Sequence, residues 1–183
     1  SSELDAMRPS ILGNLLLAAG RNADRGFADL GLFELGPAYR DASPDGQLLV
    51  AAGVRHGNAH PAHWSGAARA ADALDAKADA LAGLDAAGAP TANLQVSRDV
   101  PAWYHPGRSG GLRLGKNVLA WFGEIHPGVL RKLDVRGPAI GFELFLDALP
   151  DRKEKSAARP PLHLSALQPV RRDFAFMVDT DVE

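Results

Sequence analysis

The sequence predicts an α+β fold, an antiparallel sheet flanked by helices. Two apolar segments of strand length are separated by a Ser43-Pro44-Asp45-Gly46 turn, so the chain doubles back on itself. A second pair of strands meets at Gly115-Lys116-Asn117, again a hairpin. Helix-period segments fall between these hairpins and do not follow every strand. The strict βαβ alternation that builds a parallel sheet is therefore missing.

Each element has a local cause. From Pro9 to Gly20, Ile11, Leu12, Leu15, Leu16 and Ala19 recur at helical spacing, with Pro9 or Ser10 at the start and Gly20 at the end. Leu30 to Tyr39 is apolar and aromatic and reads as a strand, and Gln47 to His56 reads as its partner. Residues 57–71 read as a loop. Asp72 to Ala87 forms an amphipathic helix with Leu74, Leu81 and Leu84 on one side. Short strands are expected at Asn93 to Ser97, Leu112 to Leu114 and Val118 to Ile125. Pro127 then starts a helix reaching about Asp134, and Ala139 to Leu146 is a last strand of the main domain. The charged, proline-containing stretch DRKEKSAARPP reads as a linker, and Arg172 to Asp179 alternates like the first strand of a new unit.

Composition excludes several classes of function. The chain has 183 residues, 46% of them hydrophobic and 23% charged, which suits a globule with a real core. Twenty basic against 22 acidic side chains give a net charge of -2, so the chain is no general binder of phosphate backbones. Without a single cysteine there are no disulfides, thiolate metal sites or thiol nucleophiles, a usage that fits a reducing cytoplasm. The opening SSELDAMRPS carries neither the basic nor the apolar region of a signal peptide. PSILGNLLLAAG is too short and too polar to cross a bilayer. With no initiator Met and an end inside an alternating segment, the chain reads as a piece of a longer polypeptide.

Three constellations could carry chemistry. His56, His60 and His63 lie close together, yet Gly57 and Pro61 break any helix that would align the rings, and no carboxylate lies among them; a solvated loop is favoured over a metal site. Ser109, near His105 and Asp99, invites comparison with a hydrolase, but glycines follow it directly and lead into a strand instead of a nucleophile elbow. Arg108 is then a turn residue that binds a carbonyl or a carboxylate. Glu124 and His126 share one side of a strand, as an acid/base pair would require, but the favoured reading is that His126 caps the helix begun by Pro127 and Glu124 pairs with a cation. Basic residues cluster only at Arg152, Lys153, Lys155 and Arg159 and at Arg171-Arg172, a solvated run or a phosphate contact.

The ordered series LDAMRPSILGNLL, LFELGPAY, LDAKADALAGL, WYHPGRSG, WFGEIHPGVLRKL, GFELFLDAL and QPVRRDFAFMVD resembles the β-subunit family of bacterial phenylalanyl-tRNA synthetases over residues 4–179. The resemblance implies a class II synthetase-like core over residues 1–149, a degenerate catalytic module. It further implies a linker over 150–161 and, over 162–183, the truncated start of a ferredoxin-like anticodon-binding domain. The family pattern can be tested on charge. Class II sites stabilise charge on the α-phosphate with a motif 2 arginine followed two positions on by a carboxylate, and with a motif 3 arginine. Arg40 stands in the first place, but Ala42 follows it, and the motif 3 region holds Glu143 and Asp147 with no arginine before Arg152. Carboxylates there would repel a triphosphate. An open groove lined by Arg40 and other cations would argue the other way.

The resemblance therefore implies a non-catalytic module with no catalytic, cofactor or metal residues of its own. ATP and magnesium serve the whole enzyme, and the family pairs this subunit with a catalytic α subunit in a heterotetramer of two α and two β chains. It implies tRNA(Phe) as a partner through the parent protein, no membrane, and a cytoplasmic location. Two readings stand for Trp103, Tyr104 and Arg108: with the helix from Pro9 to Gly20 they lie near or support the subunit seam, since such residue types are favoured at interface hot spots, or they are internal turn and core residues. Arg171 and Arg172 are expected tRNA contacts. The competing readings are a hydrolase using Ser109, His105 or the histidine trio, and an independent RNA-binding module acting through the basic linker.

Overall fold

The computed structural model describes residues 6–150 and 172–179. Packing divides the chain into two units, Ser1–Asp151 and Arg152–Glu183. In the first unit the order is α1 (Leu12–Asp24), β1 (Leu30–Tyr39), β2 (Gln47–His56), β3 (Asn58–His60), β4 (Arg69–Ala70), α2 (Ala73–Ala86), β5 (Gln95–Ser97), β6 (Tyr104–Leu114), β7 (Asn117–Ile125), α3 (Pro127–Lys132) and β8 (Ala139–Phe145). Six strands form one antiparallel sheet in the order β1-β2-β8-β7-β6-β5, and β3 and β4 form a separate two-stranded ribbon.

The first hairpin lies where its turn residues place it, in register from Leu30 opposite His56 to Tyr39 opposite Gln47, with Pro44–Gly46 as a 3-10 turn. Helix α1 runs past its expected end at Gly20. That glycine sits inside the helix against Val135, and the stop comes at Gly26, whose φ of 96° only a residue without Cβ adopts easily. The segment 57–71 holds the β3–β4 ribbon instead of being loop alone.

Helix α2 starts on a reciprocal cap. Asp72 Oδ1 accepts from the backbone N–H of Leu74 at 2.7 Å and of Asp75 at 3.3 Å, while Asp75 Oδ2 accepts from the N–H of Asp72 at 2.8 Å. Its buried face is Ala76, Ala80 and Leu84, and Leu74 stands 70% exposed, contrary to the expected leucine stripe. The reason is close approach. Leu144 Cδ1 comes within 2.6 Å of where a Cβ on Gly83 would sit, so the helix contacts the sheet through its small residues.

Strand β6 begins at Tyr104, eight residues before the expected Leu112, so WYHPGRSG belongs largely to a strand and not to a loop. Its pairing with β7 jumps from Tyr104–Ile125 to Ser109–Gly123, a bulge that sequence periodicity does not show. The sheet carries a core on each face. One gathers Ile11, Leu12, Leu16 and Ala19 of the α1 region over Val50, Val54 and Ala139; the other gathers Ala80 and Leu84 of α2 over Leu119, Ile140 and Leu144.

In the second unit, residues 172–179 carry no regular secondary structure, so the strand expected there is not formed. A strand needs a hydrogen-bonded neighbour, and among the described residues none pairs with this segment. Phe174 and Phe176 are exposed, with their rings stacked 6.3 Å apart. The linker 150–161 falls outside the described residues except for Pro150.

Candidate functional site

On the α1 face, beside Pro9 ahead of that helix, the sheet floors an open groove of about 830 Å³. Alternation puts Val50 on β2, Glu143 and Phe145 on β8, and Trp121 on β7 on this face, since Trp121 stands opposite Glu143 and Val50 opposite Phe145. Trp103, just before β6, closes one wall. Trp121 meets Phe145 edge to face at 4.6 Å and Trp103 at 6.0 Å. Arg40, at the end of the first strand, and Lys116, in the β6–β7 turn, bring the two cations of the lining, and Asp147 brings a second carboxylate.

Glu143 is 2% exposed and is the polar centre of the floor. Its Oε1 accepts from the Ser10 hydroxyl at 2.6 Å, and its Oε2 from Trp103 Nε1 at 3.2 Å and the Tyr104 hydroxyl at 3.3 Å. Among the described residues no lysine or arginine pairs with it. Burial pushes its carboxyl above the ordinary value of 4.5, with the three donors pulling the other way. Burial, and then the neighbouring Glu143 charge, push Tyr104 well above the usual phenol value. Asp147 is exposed and tied to the backbone, its Oδ2 accepting from the N–H of Leu49 at 2.7 Å.

The residues singled out from sequence are placed as follows. Tyr104 is 1% exposed and faces inward, Trp103 is half-buried, and Arg108 alone of the three stands at the surface. Tyr104 can therefore support a seam but not touch a partner. Arg108 holds Glu124, with Nη2 2.7 Å from Oε1, the carboxylate partner expected of it. His126 caps α3 through Nδ1, which accepts from the N–H of Gly128 at 3.0 Å. The Ser109 hydroxyl donates to the carbonyl of His105 at 2.5 Å, while His105 Nδ1 accepts from the N–H of Gly107 at 3.0 Å, so no Ser–His relay exists.

The histidine trio does not converge. His56 is buried at the end of β2 between the carbonyls of Ala28 (2.8 Å) and Arg136 (2.6 Å), whereas His60 and His63 are exposed, their rings 5.8 Å apart. Among the described residues no three His, Cys, Asp or Glu side chains are grouped to hold a metal ion. Arg172 is exposed, and Arg171 lies outside the described residues. Among the described residues no helix is long and apolar enough to cross a membrane.

Sequence reasoning noticed Glu143 and Asp147 but not their context. Ser10 and Trp121 were missed as parts of a site. A single carboxylate in the apolar strand AIGFELFL was the one available signal, since such a group must find donors when buried.

Six antiparallel strands between helices, with an open groove on one face, define the architecture of the module. Pyrrolysyl-tRNA synthetase from Desulfitobacterium hafniense shares this fold, with a TM-score of 0.53 over 79% of this chain and 50% of that one at 18% identity. The chain belongs to the family of the phenylalanyl tRNA synthetase beta chain CLM domain, whose model matches residues 1–146. Over its whole length it is 64% identical to the phenylalanine–tRNA ligase beta subunit of Rhodospirillum rubrum and 61% identical to that of Paramagnetospirillum magneticum. The beta subunit of Bartonella henselae is 52% identical. The chain spans about a quarter of the length of these relatives, 23% in the first two.

Proposed function

We propose that this chain is a non-catalytic structural module of a phenylalanine–tRNA ligase beta subunit, a degenerate class II core that pairs with the catalytic alpha subunit in aminoacylation of tRNA(Phe). In this reading residues 1–149 are the core, 150–161 a linker and 162–183 the start of an anticodon-binding domain. The assembly is a cytoplasmic heterotetramer of two alpha and two beta chains. ATP and magnesium act at the alpha subunit. Arg171 and Arg172 approach tRNA.

The observation that carries this reading is the charge inventory of the groove. Arg40 and Lys116 face Glu143 and Asp147, so the lining sums to zero, whereas a triphosphate brings several negative charges and needs a surplus of cations. Ala42 stands where a carboxylate would complete the motif 2 pattern, and the buried Glu143 occupies the floor. The same geometry keeps a second reading in play, nucleotide binding, because the groove is open and does contain Arg40 and a second cation. Titration of the chain with ATP and magnesium separates the two. The scaffold reading expects no saturable binding, and binding lost on Arg40→Ala would overturn it.

A further inference from the structure

A cationic surface forms where the end of α1 meets the chain that follows α3. Val135 Cγ2 lies 3.3 Å from where a Cβ on Gly20 would sit, so the two segments touch there. Arg21 and Arg25 follow Gly20 at the end of α1, four residues apart and therefore on one side. Arg131 and Lys132 close α3 within a turn of Val135, whose N–H reaches back to the carbonyl of Leu130 at 2.9 Å, and Arg136 follows Val135 directly. All five residues are exposed, and among the described residues none of them is in an ion pair. Asp24 and Asp134 are the only carboxylates in segments 20–27 and 127–137. Helix-end electrostatics does not account for the group. One cation in each last turn offsets the terminal carbonyls, a part that Arg21 and Arg131 can fill. Lys132 is then surplus, Arg25 and Arg136 stand beyond the helices, and like charges four apart repel each other.

We infer that this surface binds the phosphate backbone of a folded RNA, with the five cations on phosphates and the ring of Phe27 against an unpaired base. Four of the five are arginines, whose planar fork matches two phosphate oxygens. Phe27, two residues past Arg25, is 64% exposed and offers a face on which any base can stack, which an acidic protein would not use. The net charge of -2 excludes a general polyanion binder but averages over the whole surface. Spacing along the chain hides the cluster, because its two halves are far apart in sequence and meet only through Gly20 and Val135. The inference deepens the proposed partnership with tRNA and rests on it for the choice of RNA. It places a contact on the core itself, separate from Arg171 and Arg172.

Fluorescence anisotropy of a labelled tRNA(Phe) transcript, titrated with the 183-residue chain, tests the surface. Saturable binding is expected, weakening roughly fiftyfold between about 50 and about 200 mM salt, as about four phosphate contacts require. Glutamine at Arg21, Arg25, Arg131, Lys132 and Arg136 together is expected to weaken binding by at least roughly tenfold at low salt and to flatten the salt dependence. Because all five positions are exposed, the melting temperature should stay at that of the parent chain. Should the fivefold variant not fold, Arg21→Gln with Arg25→Gln serves instead and is expected to remove about half of the salt slope. Arg171→Gln with Arg172→Gln is expected to leave most of the binding in place. No saturable binding at low salt overturns the inference. Binding kept by the fivefold variant but lost with Arg171→Gln and Arg172→Gln also overturns it, while leaving the tRNA partnership standing. Polyglutamate that competes as well as unlabelled transcript overturns it in favour of an acidic protein.

Discussion

The hydroxyl of Ser10, just ahead of α1, donates to Oε1 of Glu143 on β8 at 2.6 Å, joining positions 133 residues apart. The same Ser10 Oγ accepts from the backbone N–H of Leu12 at 3.1 Å. One side chain thus accepts from a backbone N–H of the first helical turn and fastens that turn to the centre of the sheet.

Because Trp103 and Tyr104 also donate to Glu143, removing its carboxyl leaves three donors without an acceptor, Tyr104 fully buried and Ser10 and Trp103 half-buried. Glu143→Ala is expected to cost about 3 kcal/mol, from orphaned donors and the cavity together. Glu143→Gln keeps an acceptor, and serine and tyrosine hydroxyls can turn to accept from its amide, so its cost at neutral pH is about 1 kcal/mol or less. Urea unfolding of the two variants checks the difference. The pH arm follows from linkage. The folded carboxyl lies above 4.5, so the folded state holds its proton where the unfolded state has lost it. The contribution of Glu143 to stability therefore falls as pH rises from the unfolded value through the raised folded one. That decline should vanish in Glu143→Gln, and an unchanged profile would refute the assignment.

Gly123 on β7 adopts φ 141°, and a Cβ there would lie 2.4 Å from the Cα of Ser109 and 2.5 Å from the carbonyl oxygen of Arg108. Backbone of the β6 bulge cannot yield as a flexible side chain would. Gly123→Ala is expected to destabilise by about 3 kcal/mol or more. A chemical denaturation curve close to that of the parent chain would mean the bulge is not held as described.

The reciprocal cap of α2 predicts that Asp72→Ala costs about 1 kcal/mol, measurable by thermal or urea unfolding. Asp75 adds an acid dependence. Its hydrogen bond with Arg69 holds its carboxyl below 3.8, so its contribution is complete above the unfolded value and is lost as pH falls through the lowered folded value. Asp75→Asn should flatten the acid limb of the stability profile, whereas an equally steep limb counts against the Arg69 pair.

Arg108 is the exposed member of the three residues expected at a subunit seam, and its pair with Glu124 is open to solvent. Exposed ion pairs contribute little to folding. Arg108→Ala should therefore leave the melting temperature almost unchanged while weakening co-purification with an alpha subunit. Full assembly with a lowered melting temperature would assign Arg108 to internal structure instead.

Local chemistry was readable without coordinates. The Ser43–Gly46 turn set the bounds of β1 and β2, and Pro127 behind His126 set the start of α3, because turn and cap residues act on their own neighbours. Elements that depend on distant partners were misread. The helix α1 outran Gly20 because packing against Val135 tolerates glycine there, and Leu74 lost its place in the core to alanines that let α2 approach Leu144. The bulge that lengthens β6 exists only in its pairing with β7.

By itself the sequence determined the antiparallel α+β plan, the family resemblance and the incomplete cation set around Arg40, since these reside in residue identity and short spacing. Only the tertiary structure decided that the groove is open, that Glu143 is its buried centre, and that Ser10, Trp103 and Tyr104 converge there. A buried carboxylate takes its donors from wherever the fold brings them, and no spacing along the chain encodes that meeting.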